Sequence, residues 1–397
     1  MFSEEHYNAF MTASPAHIAL NAQLLCGRAT YRSAGIHNYI DNLLKHLPEA
    51  DPDLRFTVFV GEGQPQMPPE RAAVRRTRLP TSRPLARIFW EQCLQPLELG
   101  RAQPDLLHSL AFVSPVIAPC PTVVTVYDLS FRLFPERFLP AQRLYLSAFT
   151  SFSCRRARRV IAISESTKAD LVRLLGLSAE KVDVAYPGIS PEFRPLPRKE
   201  VEAFRARRGL PIRFILFLGT LEPRKNLGAL IRAFAQLSHA ERDLYLVLAG
   251  AKGWLYADLF KLTQDLGLAD RVVFPGFVPA EELPLWYNSA TVFAYPSSYE
   301  GFGLPVIEAL ACGRPVVTSD VSSLPEAGGQ AAILVSPGSP EALAEALSRA
   351  LTWGPAQCAL GPAQAAPFRW SATAAQTVWS YRRALGMGEE GAHVKRL

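Results

Sequence analysis

The chain has 397 residues, 49% of them hydrophobic, which is enough for two domains of roughly 150–200 residues and needs no disulfide scaffold. A net charge of +6 suits phosphorylated ligands or an anionic membrane surface, and equally a generically basic soluble protein. The six cysteines, Cys26, Cys93, Cys120, Cys154, Cys312 and Cys358, form no Cys-x-x-Cys site and read as reduced, mostly buried thiols.

The N-terminus, MFSEEHYNAF, is acidic and lacks the basic and apolar regions of a targeting signal. No apolar run approaches the roughly 18–20 residues of a membrane span. These features predict a cytoplasmic protein, or one peripheral at the inner face of a membrane.

His17 to Leu25 is the first predicted strand. A loop from Cys26 leads to Gly35 and a helix over Ile36 to Leu47. Leu54 to Val60 follows as a strand, so the segment reads as one half of a doubly wound sheet. Asp51-Pro52-Asp53 has the Asp-x-Asp spacing of some metal sites but precedes a strand and reads as a turn. A helix is predicted over Leu85 to Leu97, and strands over Asp105 to Leu110 and Thr122 to Val126. The latter ends in Tyr127-Asp128, where ligand loops sit in an open α/β sheet. Ala141 to Arg156 (helix), Val160 to Ser164 (strand), Thr167 to Leu175 (helix) and Val182 to Tyr186 (strand) come next. Gly188 to Arg198 is Pro-rich and reads as an interdomain linker.

A second α/β domain is predicted from strands at Arg213 to Leu218, Leu244 to Ala249, Val272 to Phe274, Val292 to Tyr295, Pro315 to Thr318 and Ala332 to Val335. A helix over Glu341 to Leu351 precedes the breakers Gly354-Pro355 and Gly361-Pro362. Ser371 to Ala384 is the last helix, before a tail expected to be disordered. The predicted domains are thus 1–190 and 191–370, with 371–397 as a closing helix and tail.

Two constellations carry chemistry. In VFAYPSSYEGFGLPVIEALACGRPVVTS, Gly301 and Gly303 precede a helix opened by Pro305. Backbone N–H groups at such a terminus suit a phosphate, although the same pattern serves as a plain tight turn. Glu300 and Glu308 would repel phosphate and suit neutral hydroxylated groups, a sugar ring and a ribose respectively. In GTLEPRKN, Arg224 and Lys225 sit between a strand and a helix. Such a pair can be plain solvated surface, but cations oppose the dipole at a helix N-terminus, so something must compensate, and bound phosphate would. Gly276 in VFPGFV is a weaker signal, with a plain turn as the stronger reading.

Two arginine clusters stand out: Arg155, Arg156, Arg158 and Arg159 behind Tyr145, Phe149 and Phe152, and Arg71, Arg75, Arg76 and Arg78. A solvated face is the default reading, and docking to anionic lipid or a lipid-phosphate acceptor is the functional alternative. No nucleic-acid motif accompanies the charge.

The paired glutamates in EGFGLPVIE, with their flanks, resemble the signature of glycosyltransferase family 4. GTLEPRKN resembles its diphosphate motif; RSAGIHNYI (Arg32 to Ile40), TVVTVYDLSFRLFPE, ISESTKADL and YPGISPEFRP are also similar. The resemblance implies a GT-B fold, two Rossmann-like domains facing each other across a cleft, with the first binding acceptor and the second a nucleotide-sugar donor. It implies retention of anomeric configuration and no metal or other cofactor. It assigns catalysis to Glu300, Arg224, Lys225, Tyr127 and Asp128, and donor binding to Gly35, Gly219, Gly276, Gly301, Phe302, Gly303, Leu304 and Glu308. Tyr127 stands where most members carry His, and is expected to position the sugar. The expected reaction moves a hexose to a glycan or lipid-linked acceptor, with GDP-mannose favoured as donor and UDP-glucose next. A catalytically weak nucleotide-sugar-binding protein and a sugar-nucleotide epimerase are the alternatives.

Overall fold

The computed structural model describes residues 15–25, 34–251, 253 and 257–387. The expectations for the N-terminal segment, for Cys26, Arg32 and Ser33, and for most of the tail lie outside these residues. By packing, the chain divides into two compact units. Of the described residues, one comprises those up to Ala162, Lys168–Ala185 and those from Ser371 on; the other comprises Ile163–Thr167 and those from Tyr186 to Trp370.

The first unit holds seven strands: β1 (His17–Asn21), β2 (Arg55–Val60), β3 (Ala72–Arg76), β4 (Leu106–Ser109), β5 (Thr122–Val126), β6 (Arg159–Ala162) and β7 (Val182–Val184). Their order is β3-β2-β1-β4-β5-β6-β7, parallel throughout. The second holds β8 (Arg213–Leu218), β9 (Leu244–Ala249), β10 (Val272–Gly276), β11 (Val292–Tyr295), β12 (Val316–Ser319) and β13 (Ile333–Val335). These run β10-β9-β8-β11-β12-β13, again parallel. Helices connect the strands, as parallel pairing requires. Central strands covered on both faces need continuous apolar runs, which FILFL in β8 and VFAY in β11 supply with every residue buried.

In each sheet the strand order reverses once, between β1 and β4 and between β8 and β11. Loops leaving the carboxyl ends of strands beside such a reversal form the crevice where open α/β sheets bind ligands.

The last helix, Trp370–Leu385, belongs to the first unit. Tyr381 meets Nδ1 of buried His108 on β4 at 2.6 Å, while Nε2 meets Thr125 Oγ1 at 2.8 Å. Burial pushes the His108 imidazole down to about 3, so the ring is neutral. Asp183 on β7 accepts from Arg159, from Ser380 Oγ at 2.8 Å and from Arg383 at 2.6 Å. Asp51 accepts from Arg382 at 2.7 Å. Its carboxylate also receives the Asp53 N–H, so Asp51-Pro52-Asp53 is a turn.

Several expectations change. Ala72–Arg76 is an edge strand that pairs with β2. Its arginines are tied down: Arg71 donates to the Pro52 carbonyl, Arg75 pairs with Glu98 and Arg76 donates to the Gly61 carbonyl. Arg159 leaves the other cluster, because it is buried on β6 against Asp183. The helix expected over Leu85 to Leu97 is Pro84–Phe89 and Gln95–Ala102 joined by a π-helical turn, Trp90–Leu94. The expected linker is packed into the second unit, where Asn288 holds the Arg194 carbonyl and the Leu196 N–H. It runs into an unexpected helix, Arg198–Arg208, and the Gly-Pro breakers open short helices at Pro355–Cys358 and Leu360–Ala365. Five cysteines are described, all free. Only Cys154 and Cys312 are buried, and Cys93 is exposed. Among the described residues no helix is long and apolar enough to cross a membrane.

Candidate active site

The loops after β8 and β11 meet at the reversal in the second sheet. Gly219 leaves β8 with φ +153, and a Cβ on Gly250 would lie 1.8 Å from the Gly219 carbonyl oxygen. Only glycines let the two chain ends pass this closely. Pro223–Lys225 then forms a single 3-10 turn, and Asn226 takes a left-handed conformation (φ +55) before the helix Leu227–Ser238. Arg224 and Lys225 therefore precede the helix by a turn of their own.

Lys225 is buried, and its ammonium donates to Glu300 Oε1 at 2.6 Å and to Tyr295 Oη at 2.7 Å. Glu300 Oε1 also accepts from Ser297 Oγ at 2.6 Å, and Oε2 stands 3.5 Å from Arg224 Nη1. The other edge of Arg224 grips Glu222 at 3.0 Å. Two cations and two carboxylates thus form one cluster. The sequence argument held that something must compensate Arg224 and Lys225 and that bound phosphate would; in the structure Glu300 and Glu222 pair with them. Burial raises the Glu300 carboxyl, but the Lys225 and Arg224 charges outweigh it and hold the group down at about 2.

The backbone around Glu300 is fixed as firmly as its side chain. Its N–H donates to Ser322 Oγ at 3.0 Å, and Ser323 Oγ donates to its carbonyl at 2.9 Å. Ser322 adopts φ +52, a strained conformation for serine, to present that hydroxyl. Ser164 Oγ donates to the Gly301 carbonyl at 2.7 Å.

Gly303 caps the helix Leu304–Ala311 with φ +104, and a Cβ there would meet Leu324 at 2.8 Å. The Phe302 ring packs against Tyr186 and Phe368 and is buried, so of this expected donor residue only the backbone remains for a ligand. Leu304 is half-buried at the first helical position. Glu308, on the same helix, accepts from Tyr287 Oη at 2.7 Å. Burial pushes its carboxyl up to about 7. Gly276 ends β10 at φ +84 with open space where a Cβ would point, beside an exposed Phe277.

In the first unit Gly35 is exposed on the helix Ala34–Ala50, where a Cβ would meet nothing. Tyr127, the residue expected to position the sugar, is buried just after β5. Its hydroxyl donates to the Leu110 carbonyl at 2.8 Å, and its ring packs against Tyr39 and Phe112. Asp128 Oδ1 accepts from the N–H and hydroxyl of Ser130, an arrangement that caps the short helix Ser130–Leu133.

The chain matches two family profiles, "Glycosyltransferase Family 4" over residues 33–193 and "Glycosyl transferases group 1" over 201–363. It is 32% identical over 268 residues to the O-antigen chain mannosyltransferase B of Escherichia coli, across 66% of this chain and 70% of that protein. The chain belongs to glycosyltransferase family 4. The serotype-specific mannosyltransferase WbdA of Escherichia coli is 27% identical across 75% of this chain, which spans 39% of that longer relative. Sucrose-phosphate synthase from Thermosynechococcus elongatus superposes with a TM-score of 0.70 at 24% identity, covering 94% of this chain and 100% of that one. With one parallel sheet in each unit, this glycosyltransferase has the GT-B fold.

The candidate site includes residues that the motifs did not single out. Tyr295 and Ser297 lie inside the longest motif but read as a strand end and a breaker. Glu222 lies in GTLEPRKN, where the cations drew the argument. Ser164 lies in ISESTKADL, which carried the resemblance but was given no role; Tyr287, Ser322 and Ser323 lie outside the quoted motifs, and no spacing rule reaches them.

Proposed function

We propose that this enzyme transfers a hexose with retention, from a sugar nucleotide to a hydroxyl of a glycan or lipid-linked acceptor. The observation that carries the reading is the buried Lys225–Glu300 pair, with partly exposed Arg224 beside it, at the strand-order reversal of the second sheet. In the transfer the bond from the anomeric carbon to the diphosphate oxygen breaks, and a bond to the acceptor oxygen forms. The acceptor proton goes to the departing diphosphate. Arg224 and Lys225 stabilise the charge that develops on that leaving group. Glu300, ionised and rigidly held, orients the sugar, and Glu308 receives the ribose.

GDP-mannose is the favoured donor, supported by the mannosyltransferase names of the two Escherichia coli relatives; UDP-glucose is next. Toward a lipid-linked acceptor, the enzyme works as a peripheral protein at the cytoplasmic face of a membrane. The test is transfer from a radiolabelled panel of sugar nucleotides, with NMR of the product's anomeric centre and with chelator present. Retained configuration and chelator-resistant transfer are expected. Tight donor binding without turnover, or an epimerised sugar nucleotide as product, overturns the reading.

A further inference from the structure

The helix Pro140–Arg156 turns an unusual face to solvent. Leu144, Ala148 and Phe152 are spaced four residues apart and line one side, with Leu144 70% and Phe152 40% exposed. Leu139, just before the helix, is 74% exposed. An open depression of about 680 Å³ lies along this side, and Arg132, Arg155 and Arg156 complete its wall with two serines.

The charge on this face is one-signed. None of the 17 helix residues is acidic, and none of the residues lining the depression is. Arg132, Arg143, Arg155, Arg156 and Arg158 have no ion-pair partner among the described residues, in contrast to Arg75 and Arg159. Arg132 and Arg155 are held in place by backbone carbonyls: Arg132 by those of Leu174 and Ser147, Arg155 by that of Leu175. Guanidinium groups that are positioned yet not neutralised are prepared for anions. A second copy of the chain would bring arginine against arginine, so self-association does not cover the face.

We infer that this face, the Leu144–Ala148–Phe152 stripe with its flanking arginines, docks the enzyme on an anionic lipid bilayer. The apolar stripe enters the boundary between headgroups and acyl chains, and the guanidiniums take lipid phosphates as forked hydrogen bonds. Each basic side chain near such a surface strengthens attachment about fivefold. The inference rests on the reading of a lipid-linked acceptor and names the surface that brings the enzyme to it.

The test is co-sedimentation of the full chain with vesicles of phosphatidylcholine, alone and with about a third phosphatidylglycerol. Salt-sensitive attachment to the anionic vesicles and none to the neutral ones is expected. Arg143→Ser with Arg156→Ser should weaken it roughly 25-fold, and Leu144→Ser with Phe152→Ser at least about tenfold. Arg78→Ser should leave it unchanged. These positions are exposed, so thermal midpoint and donor affinity should not move. No attachment, equal attachment to neutral vesicles, or unchanged attachment of both double variants overturns the inference. So does release by millimolar glycerol phosphate or equally tight binding of poly-glutamate, which would mark a small-anion or protein site. Attachment needs no turnover, so either this inference or the transferase reading can fail alone.

Discussion

Lys225 and Glu300 lie 75 residues apart in the chain and 2.6 Å apart in space. Replacing Lys225 with Ala leaves Glu300 buried with less countercharge. Its carboxyl then rises, since burial is less opposed. Turnover should fall by roughly two to three orders of magnitude, the scale for one lost electrostatic stabiliser, and steady-state transfer kinetics measure this. A depressed carboxyl favours the folded state above its unfolded value and loses that contribution as pH falls. For Glu300 the window runs from the ordinary glutamate value of 4.5 down to about 2. Glu308 has the opposite sign. Its carboxyl is raised to about 7, so the fold favours the protonated form, and that contribution is lost as pH rises from 4.5 through about 7. An ionised Glu308 accepts a ribose hydroxyl more strongly, so donor affinity should increase as pH rises through about 7. Glu308→Gln should remove this dependence and weaken donor binding roughly 10- to 100-fold, the value of a charge-assisted hydrogen bond. Titration calorimetry below and above neutrality checks both; a pH-independent donor affinity in the native enzyme removes Glu308 from the site. Tyr127→Phe deprives the Leu110 carbonyl of its partner and should cost about 1–3 kcal/mol of stability, with most activity retained, as urea unfolding and transfer assays would show. The identities of Glu300, Arg224 and Lys225 were legible because each sits in a contiguous motif. Their union in one cluster was not, because it depends on β8 lying beside β11.

At the scale of elements, the strands were legible where burial on both faces demands an unbroken apolar run. Arg213 to Leu218, Leu244 to Ala249 and Val292 to Tyr295 agree with the sequence reading to the residue. Ala72–Arg76 escaped because an edge strand buries only Ala72, leaves Ala73 and Val74 exposed and ends in two arginines. Arg198–Arg208 escaped because just Val201 and Phe204 are buried, too few to establish a helical period beside a Pro-rich stretch. The last helix was legible as a helix, but not the two carboxylates that hold it. Asp183 joins Arg159, Ser380 and Arg383 inside the first unit. Asp183→Ala leaves Arg159 buried and uncompensated, and breaking a buried pair this way costs about 3–5 kcal/mol. Chemical denaturation should show that loss, while donor affinity, which the proposed function assigns to the second unit, stays unchanged. A stability unchanged from the native enzyme would show that solvent reaches Arg159.

At the scale of the whole molecule, two units with separate sheets and separate cores give two cooperative bodies in one chain. A donor bound by the second unit should stabilise that unit's unfolding transition by about 2.7 kcal/mol at 100 times its dissociation constant. Differential scanning calorimetry with GDP-mannose tests this. A shift confined to the transition that Asp183→Ala lowers would place the donor in the other unit.

The first unit is not continuous in the chain: Tyr186–Trp370 intervenes before its last helix. At about 5–20 residues per second, a ribosome needs roughly 10–40 s to add that stretch. Throughout this interval Asp51, Asp183 and His108 lack the partners that the helix brings. The part of the protein made first is therefore the part finished last. The nascent chain holds these buried polar groups without those partners while the second unit, which ends at Trp370, is already fully synthesised.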